Sequence, residues 1–168
     1  MNAINIILIF VVAFLAGCEG ILDQFQFHQP LVACTLIGLV TGHLKEGIIL
    51  GGQLQLYALG WSNVGAAIAP DAALASTASA IIMALALNGG TSNIDEAIST
   101  SITLAIPLSV AGLFLTMLAR TFAIPMVHGM DSAAETADFK KIERIHWSGV
   151  AMQGLRIAIP ALILCFIP

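Results

Sequence analysis

Charge is scarce in this chain. Only 10% of its 168 residues are charged, where an average soluble domain has about 25%. With 10 acidic and 6 basic residues the net charge is -4, and the few basic residues form no patch dense enough for nucleic acid. Cysteine is equally sparse. Cys18, Cys34 and Cys165 are odd in number, lack CxxC or metal-ligand spacing, and each sits in an apolar run, where a thiol behaves as a small hydrophobe. There is no Gly-rich loop ending in Gly-Lys-Ser/Thr to cradle a phosphate, no HExxH and no Ser, His and Asp set. His128 and His146 lie at the ends of a hydrophilic stretch and read as loop histidines. No catalytic residue, metal site or cofactor is expected, and the chain itself is read as performing no covalent chemistry.

Apolar residues fill the space. They make up 58% of the chain, and the mean hydropathy is +0.96. The length allows about five or six crossing or re-entrant segments of roughly 20 residues, so residues 1–168 are read as one membrane-embedded bundle. The expected class is an all-α integral membrane protein, a helical bundle with broken or re-entrant helices.

Along the chain, Ala3 to Leu22 is long enough to span. It contains Leu15-Ala16-Gly17-Cys18, which looks like a lipoprotein processing site, but no Lys or Arg precedes it and more apolar segments follow. Leu31 to Leu44 and Gly47 to Trp61 are short and read as hairpin or re-entrant pieces. Val64 to Leu87 is interrupted at Pro70-Asp71, which predicts a helix over Ala72 to Leu87 with Asp71 as N-cap. Ala97 to Val127 is apolar with Pro107 and Pro125, and a kink is expected near Pro107. His128 to His146 is hydrophilic and holds Lys140, Lys141 and Arg144, so the positive-inside rule places 129–147 in the cytoplasm and 88–96 outside. Ser148 to Pro168 is again apolar.

Polar groups at membrane depth cost several kcal/mol each when unpaired, and they usually face a bundle interior or a cavity. The stretch from Gly51 to Ser76 gathers Gln53, Gln55, Tyr57, Trp61, Asn63 and Asp71 around a helix break, the setting in which transporters hold polar solutes. Gln53, Tyr57 and Trp61 at i, i+4 and i+8 share a helical face suited to a sugar, with amides for hydroxyls and an indole for the C–H side of the ring. They also suit an interfacial belt with interhelical glutamine bonds. Asp71 is a cap, a sugar contact, or both. Glu19, Asp23 and His28 form a second wall, a proton relay or a solvated helix end, the last ranking first for Asp23 and His28. Arg156, inside an apolar run, is expected to pair with Glu19 or Asp71 as structural glue.

Those residues carry a family likeness. EGILDQFQFHQPLVACTLIGLVTG from Glu19, GGQLQLYALGWSNVGAAIAPDAALAS from Gly51, LAIPLSVAG from Leu104 and MQGLRIAIPA from Met152 together resemble the IIC membrane subunit of the mannose/fructose/sorbose-type phosphotransferase system. The resemblance implies a sugar permease subunit in the bacterial cytoplasmic membrane. It implies a IID membrane partner, delivery of a hexose to a IIB subunit for phosphorylation, a phosphoryl supply through IIA, and docking of certain bacteriocins. It carries Gln53, Trp61, Asn63 and Asp71 to the sugar path, with Gln55, Glu19, Asp23 and His28 beside them. Members of that family are longer, so the chain is expected to lack their C-terminal helices. A proton-coupled symporter using Glu19, Asp23 or Asp71, and a membrane scaffold that transports nothing, are the alternatives.

Overall fold

The computed structural model describes residues 1–19, 22–61, 64 and 67–167, with only the backbone described at Asp23. Among the described residues there are six α-helices: α1 (Ala3–Gly17), α2 (Pro30–Thr41), α3 (Leu44–Ala58), α4 (Ala72–Asn88), α5 (Ile94–Glu135) and α6 (Phe139–Leu164). A 3-10 turn, Asp23–Phe25, lies between α1 and α2. The all-α expectation holds. α5 and α6 are long and apolar enough to cross a bilayer.

Helices α2 and α3 are an antiparallel hairpin of 12 and 15 residues, roughly 18 and 22 Å at 1.5 Å per residue, both short of an upright span. Pro30 begins α2 at a position where a missing N–H costs nothing. Gly42, with φ +84°, ends it in the left-handed conformation that glycine adopts without strain. The pair approach closely because Gly47 has no side chain: a Cβ there falls 2.6 Å from the carbonyl oxygen of Cys34.

Helix α4 is the centre of the bundle, with every residue from Ala73 to Ile81 buried. It touches all five other helices. Its face is built from alanine, serine and threonine, the small residues that let membrane helices pack closely. The hydroxyls of Thr77 and Ser79 donate to the carbonyls of Ala73 and Ala75, each at 2.7 Å, so neither hydroxyl is left bare in the apolar interior. Large apolar side chains point outward instead. Ile4, Ile7 and Val11 of α1 and Val110, Phe114 and Phe122 of α5 are exposed, as suits contact with lipid.

Two expectations change. Helix α1 stops at Gly17 and not Leu22, its last turn closing where the Cys18 N–H reaches the carbonyls of Phe14 and Leu15. Glu19 therefore lies beyond the end of α1. The hydrophilic stretch from His128 to His146 is mostly helix, because α5 continues to Glu135 and α6 starts at Phe139 under an Asp138 cap. Its alanines and charged residues propagate a helix outside a membrane as well as inside one. Helix α5 carries Pro107 and Pro125 inside its 42 residues.

Candidate functional site

The break before α4 is where the polar groups meet. Gly60, with φ +91°, turns the chain out of α3, and the described residues between 59 and 71 lie outside any helix. Asp71 ends this stretch as the N-cap: its Oδ1 accepts from the Leu74 N–H at 2.8 Å. Its own N–H donates to the carbonyl of Ser109 in α5 at 3.0 Å. A Cβ at Gly112, one turn further along α5, falls 2.5 Å from the Asp71 Cβ, so glycine is what admits the aspartate here.

Asp71 Oδ2 is the inner end of an ion cluster. It receives Arg156 Nη1 of α6 and the Thr116 hydroxyl of α5 at 3.1 Å, while Arg156 Nη1 also donates to Thr116. Arg156 Nη2 reaches Glu19 Oε1 at 3.1 Å. Two carboxylates against one guanidinium leave one formal negative charge. The side chains of Arg156 and Asp71 are 3% and 2% exposed and that of Glu19 is 30% exposed, so the cluster runs from a sealed end to an open one. Arg156 pairs with both carboxylates named as its candidates, and from α6 it ties Glu19, two residues beyond α1, to Asp71 at the start of α4. Both oxygens of Asp71 are already engaged. Glu19 is the carboxylate of the cluster that stays partly exposed.

A second group joins α2 and α3. Gln55 donates through Nε2 to Gln29 Oε1 at 2.7 Å, and its Oε1 accepts from the Leu31 N–H at 3.2 Å, satisfying one of the orphan donors at the start of α2. Gln29 Nε2 lies 3.1 Å from His28 Nε2. For Gln55 this is the interhelical bonding reading in full. Gln53, two positions earlier, is exposed with Tyr57. Trp61 does not extend their stripe, because α3 has ended and the turn at Gly60 brings the indole half-buried against the core. Asn63 lies outside the described residues, as does the side chain of Asp23. Thr116, Gly112 and Gln29 are the members that sequence reasoning missed. Ser109, Gly112 and Thr116, at i, i+3 and i+7, mark a small-residue face on α5.

An open groove of about 610 Å³ flanks Leu74, lined by Leu108, Phe114, Leu115, Pro160 and Ile163. Its lining is apolar and offers hydroxyls no partner.

The family model described as the PTS system sorbose-specific IIC component matches residues 3–168. The chain belongs to that IIC family. It is 47% identical over 163 residues to the mannose-specific EIIC component of Escherichia coli and to the sorbose-specific EIIC component of Klebsiella pneumoniae, covering 97% of this chain and 58% of each relative. The chain thus spans 58% of the length of these IIC relatives. A solved structure of the mannose transporter ManYZ in complex with a microcin superposes with a TM-score of 0.85 at 46% identity, over 98% of this chain and 63% of the other. With that likeness and the two crossing-length helices, this IIC chain is a membrane protein.

Proposed function

We propose that the chain is the sugar-translocating membrane subunit of a phosphoenolpyruvate-dependent, mannose-type phosphotransferase system. It imports a hexose, which a IIB partner phosphorylates; the chain itself transfers no phosphoryl group. The observation that carries the reading is the Glu19–Arg156–Asp71 cluster set into a broken helix of an apolar bundle. A buried ion cluster is a poor way to gain stability, and intramembrane charges at broken helices mark solute paths. The names of the relatives, as mannose- and sorbose-specific EIIC components, support the same solute class.

In this reading Glu19 and Trp61 border the path, with Asn63, Asp23 and His28 beside them. Gln53 reaches the sugar from its exposed position on α3, and Gln55 and Asp71 hold the walls in place. A IID subunit packs against the chain in the bacterial cytoplasmic membrane, IIA supplies IIB, and residues 129–147 face the cytoplasm. A bacteriocin docks on the same assembly, as a microcin does on ManYZ. The test is complementation of a strain lacking hexose phosphotransferase uptake. The full-length chain with its IID-like partner is expected to restore sugar phosphorylation, and neither does so alone. Restored accumulation of unmodified sugar, dependent on a proton gradient, overturns the reading in favour of a symporter.

A further inference from the structure

We propose that Thr116 is a positioning residue of the sugar path: through Arg156 it sets where Glu19 stands, without itself touching the sugar. The inference rests on the reading that Glu19 borders that path.

Thr116 differs from its neighbours in what its hydroxyl does. Thr77 and Ser101 donate to a carbonyl one turn back in their own helices, each at 2.7 Å, the usual way such a group is satisfied in an apolar helix. Thr116 Oγ1 lies 3.1 Å from the Gly112 carbonyl and also 3.1 Å from Asp71 Oδ2. A hydroxyl has one hydrogen to donate, so the two acceptors compete, and the carboxylate, being charged, is the stronger. The same oxygen accepts from Arg156 Nη1. Thr116 therefore closes a three-membered ring with Asp71 and Arg156.

The ring fixes one end of the guanidinium. Asp71 cannot follow Arg156, because Oδ1 is held by the Leu74 N–H, the Ser109 carbonyl holds its backbone, and Gly112 seats its Cβ. With Nη1 anchored on two oxygens, the planar fork aims Nη2 at Glu19 in one direction. Removing the Thr116 hydroxyl leaves Nη1 with Asp71 alone, frees the fork to rotate, and takes from Glu19 the fixed donor that holds it at the open end of the cluster. The effect on sugar recognition is indirect and runs through Glu19.

The test uses the full-length chain in membranes with its partner subunits, phosphoenolpyruvate, and mannose or fructose as the probe, with KM and maximal rate measured per amount of folded protein. Glu19→Gln is expected to raise KM. Thr116→Val and the smaller Thr116→Ala, which serves if the valine variant fails to fold, are expected to raise KM about three- to tenfold, with Thr116→Ser within about twofold of the parent. Thr116→Val added to Glu19→Gln is expected to raise KM no further, because both act through one contact. Multiplying effects, an unchanged KM in both Thr116 variants, a loss confined to maximal rate, or no rescue by serine overturns the proposal. An unchanged KM in Glu19→Gln overturns it too while leaving transport standing, whereas a parent protein that makes no sugar phosphate removes the functional reading as well.

Discussion

Replacing Asp71 separates its two tasks by magnitude. Asparagine caps a helix about as well as aspartate, so Asp71→Asn keeps the bond to the Leu74 N–H and loses only the charge facing Arg156. Hydrogen bonds to charged groups contribute about 1.5–3 kcal/mol, and since Arg156 keeps Glu19 and Thr116, the cost falls within that range. Asp71→Ala removes the cap as well and leaves a buried guanidinium facing a void, for about 3–5 kcal/mol in all. In a chain of this size each kcal/mol shifts the melting temperature by about 2–4 °C. Asp71→Ala is then expected to melt roughly 6–20 °C below the parent, with Asp71→Asn between them. Arg156→Met leaves the Asp71 carboxylate sealed without its counter-charge, with only the Thr116 hydroxyl and the Leu74 N–H as donors, and destabilises by a similar amount. Combining it with Asp71→Asn removes both buried charges, so the double variant is expected to be more stable than Arg156→Met alone. The assay is thermal unfolding of the full-length protein in detergent, followed by intrinsic fluorescence. Single variants that melt with the parent, or a double variant whose loss is the sum of the two, would refute a coupled buried cluster.

Other outcomes follow from the packing. Gly47→Ala drives a methyl group to 2.6 Å from the Cys34 carbonyl and is expected to cost about 1–3 kcal/mol by overpacking. Gly52→Ala, with nothing within 4 Å, is expected to be neutral or to stabilise by up to about 1 kcal/mol; comparison of their melting curves checks the α2–α3 contact. Gln55→Ala breaks two bonds to the start of α2 and is expected to lower stability by about 1–2 kcal/mol. Gln53→Ala, on the exposed side of α3, is expected to leave the melting curve alone and to reduce sugar uptake. Unchanged uptake in that variant removes Gln53 from the path.

What could be read from the sequence was local or charge-driven. Pro70-Asp71 announced both the break and the start of α4, because a proline followed by a capping aspartate is a backbone signal that needs no neighbours. Arg156 announced a carboxylate partner because an unpaired guanidinium in an apolar run is untenable. The end of α1 could not be read: the apolar run continues past Gly17 to Leu22, while the helix closes where the Cys18 N–H reaches the carbonyls of Phe14 and Leu15. Trp61 falls away from the stripe of Gln53 and Tyr57 because the chain turns at Gly60, a break that helical spacing alone does not show. Thr116 was hidden for a different reason. A hydroxyl in an apolar helix nearly always has a carbonyl of its own helix to satisfy it, and only the tertiary approach of Asp71 at Gly112 gives this one a second acceptor. Gln55 showed its amide but not its direction, which follows from the close packing of the start of α2 on Gly51.

The most direct measurement is the chemical form of the sugar that arrives. Membrane vesicles carrying the full-length chain and its partner subunits are loaded with phosphoenolpyruvate and the soluble phosphoryl carriers, then given labelled mannose or fructose outside. The account predicts label inside as sugar phosphate, absent when phosphoenolpyruvate is withheld and strongly reduced in a stably folded Glu19→Gln variant. Free sugar accumulating inside without phosphoenolpyruvate, or sugar phosphate forming at full rate without this chain, would contradict it.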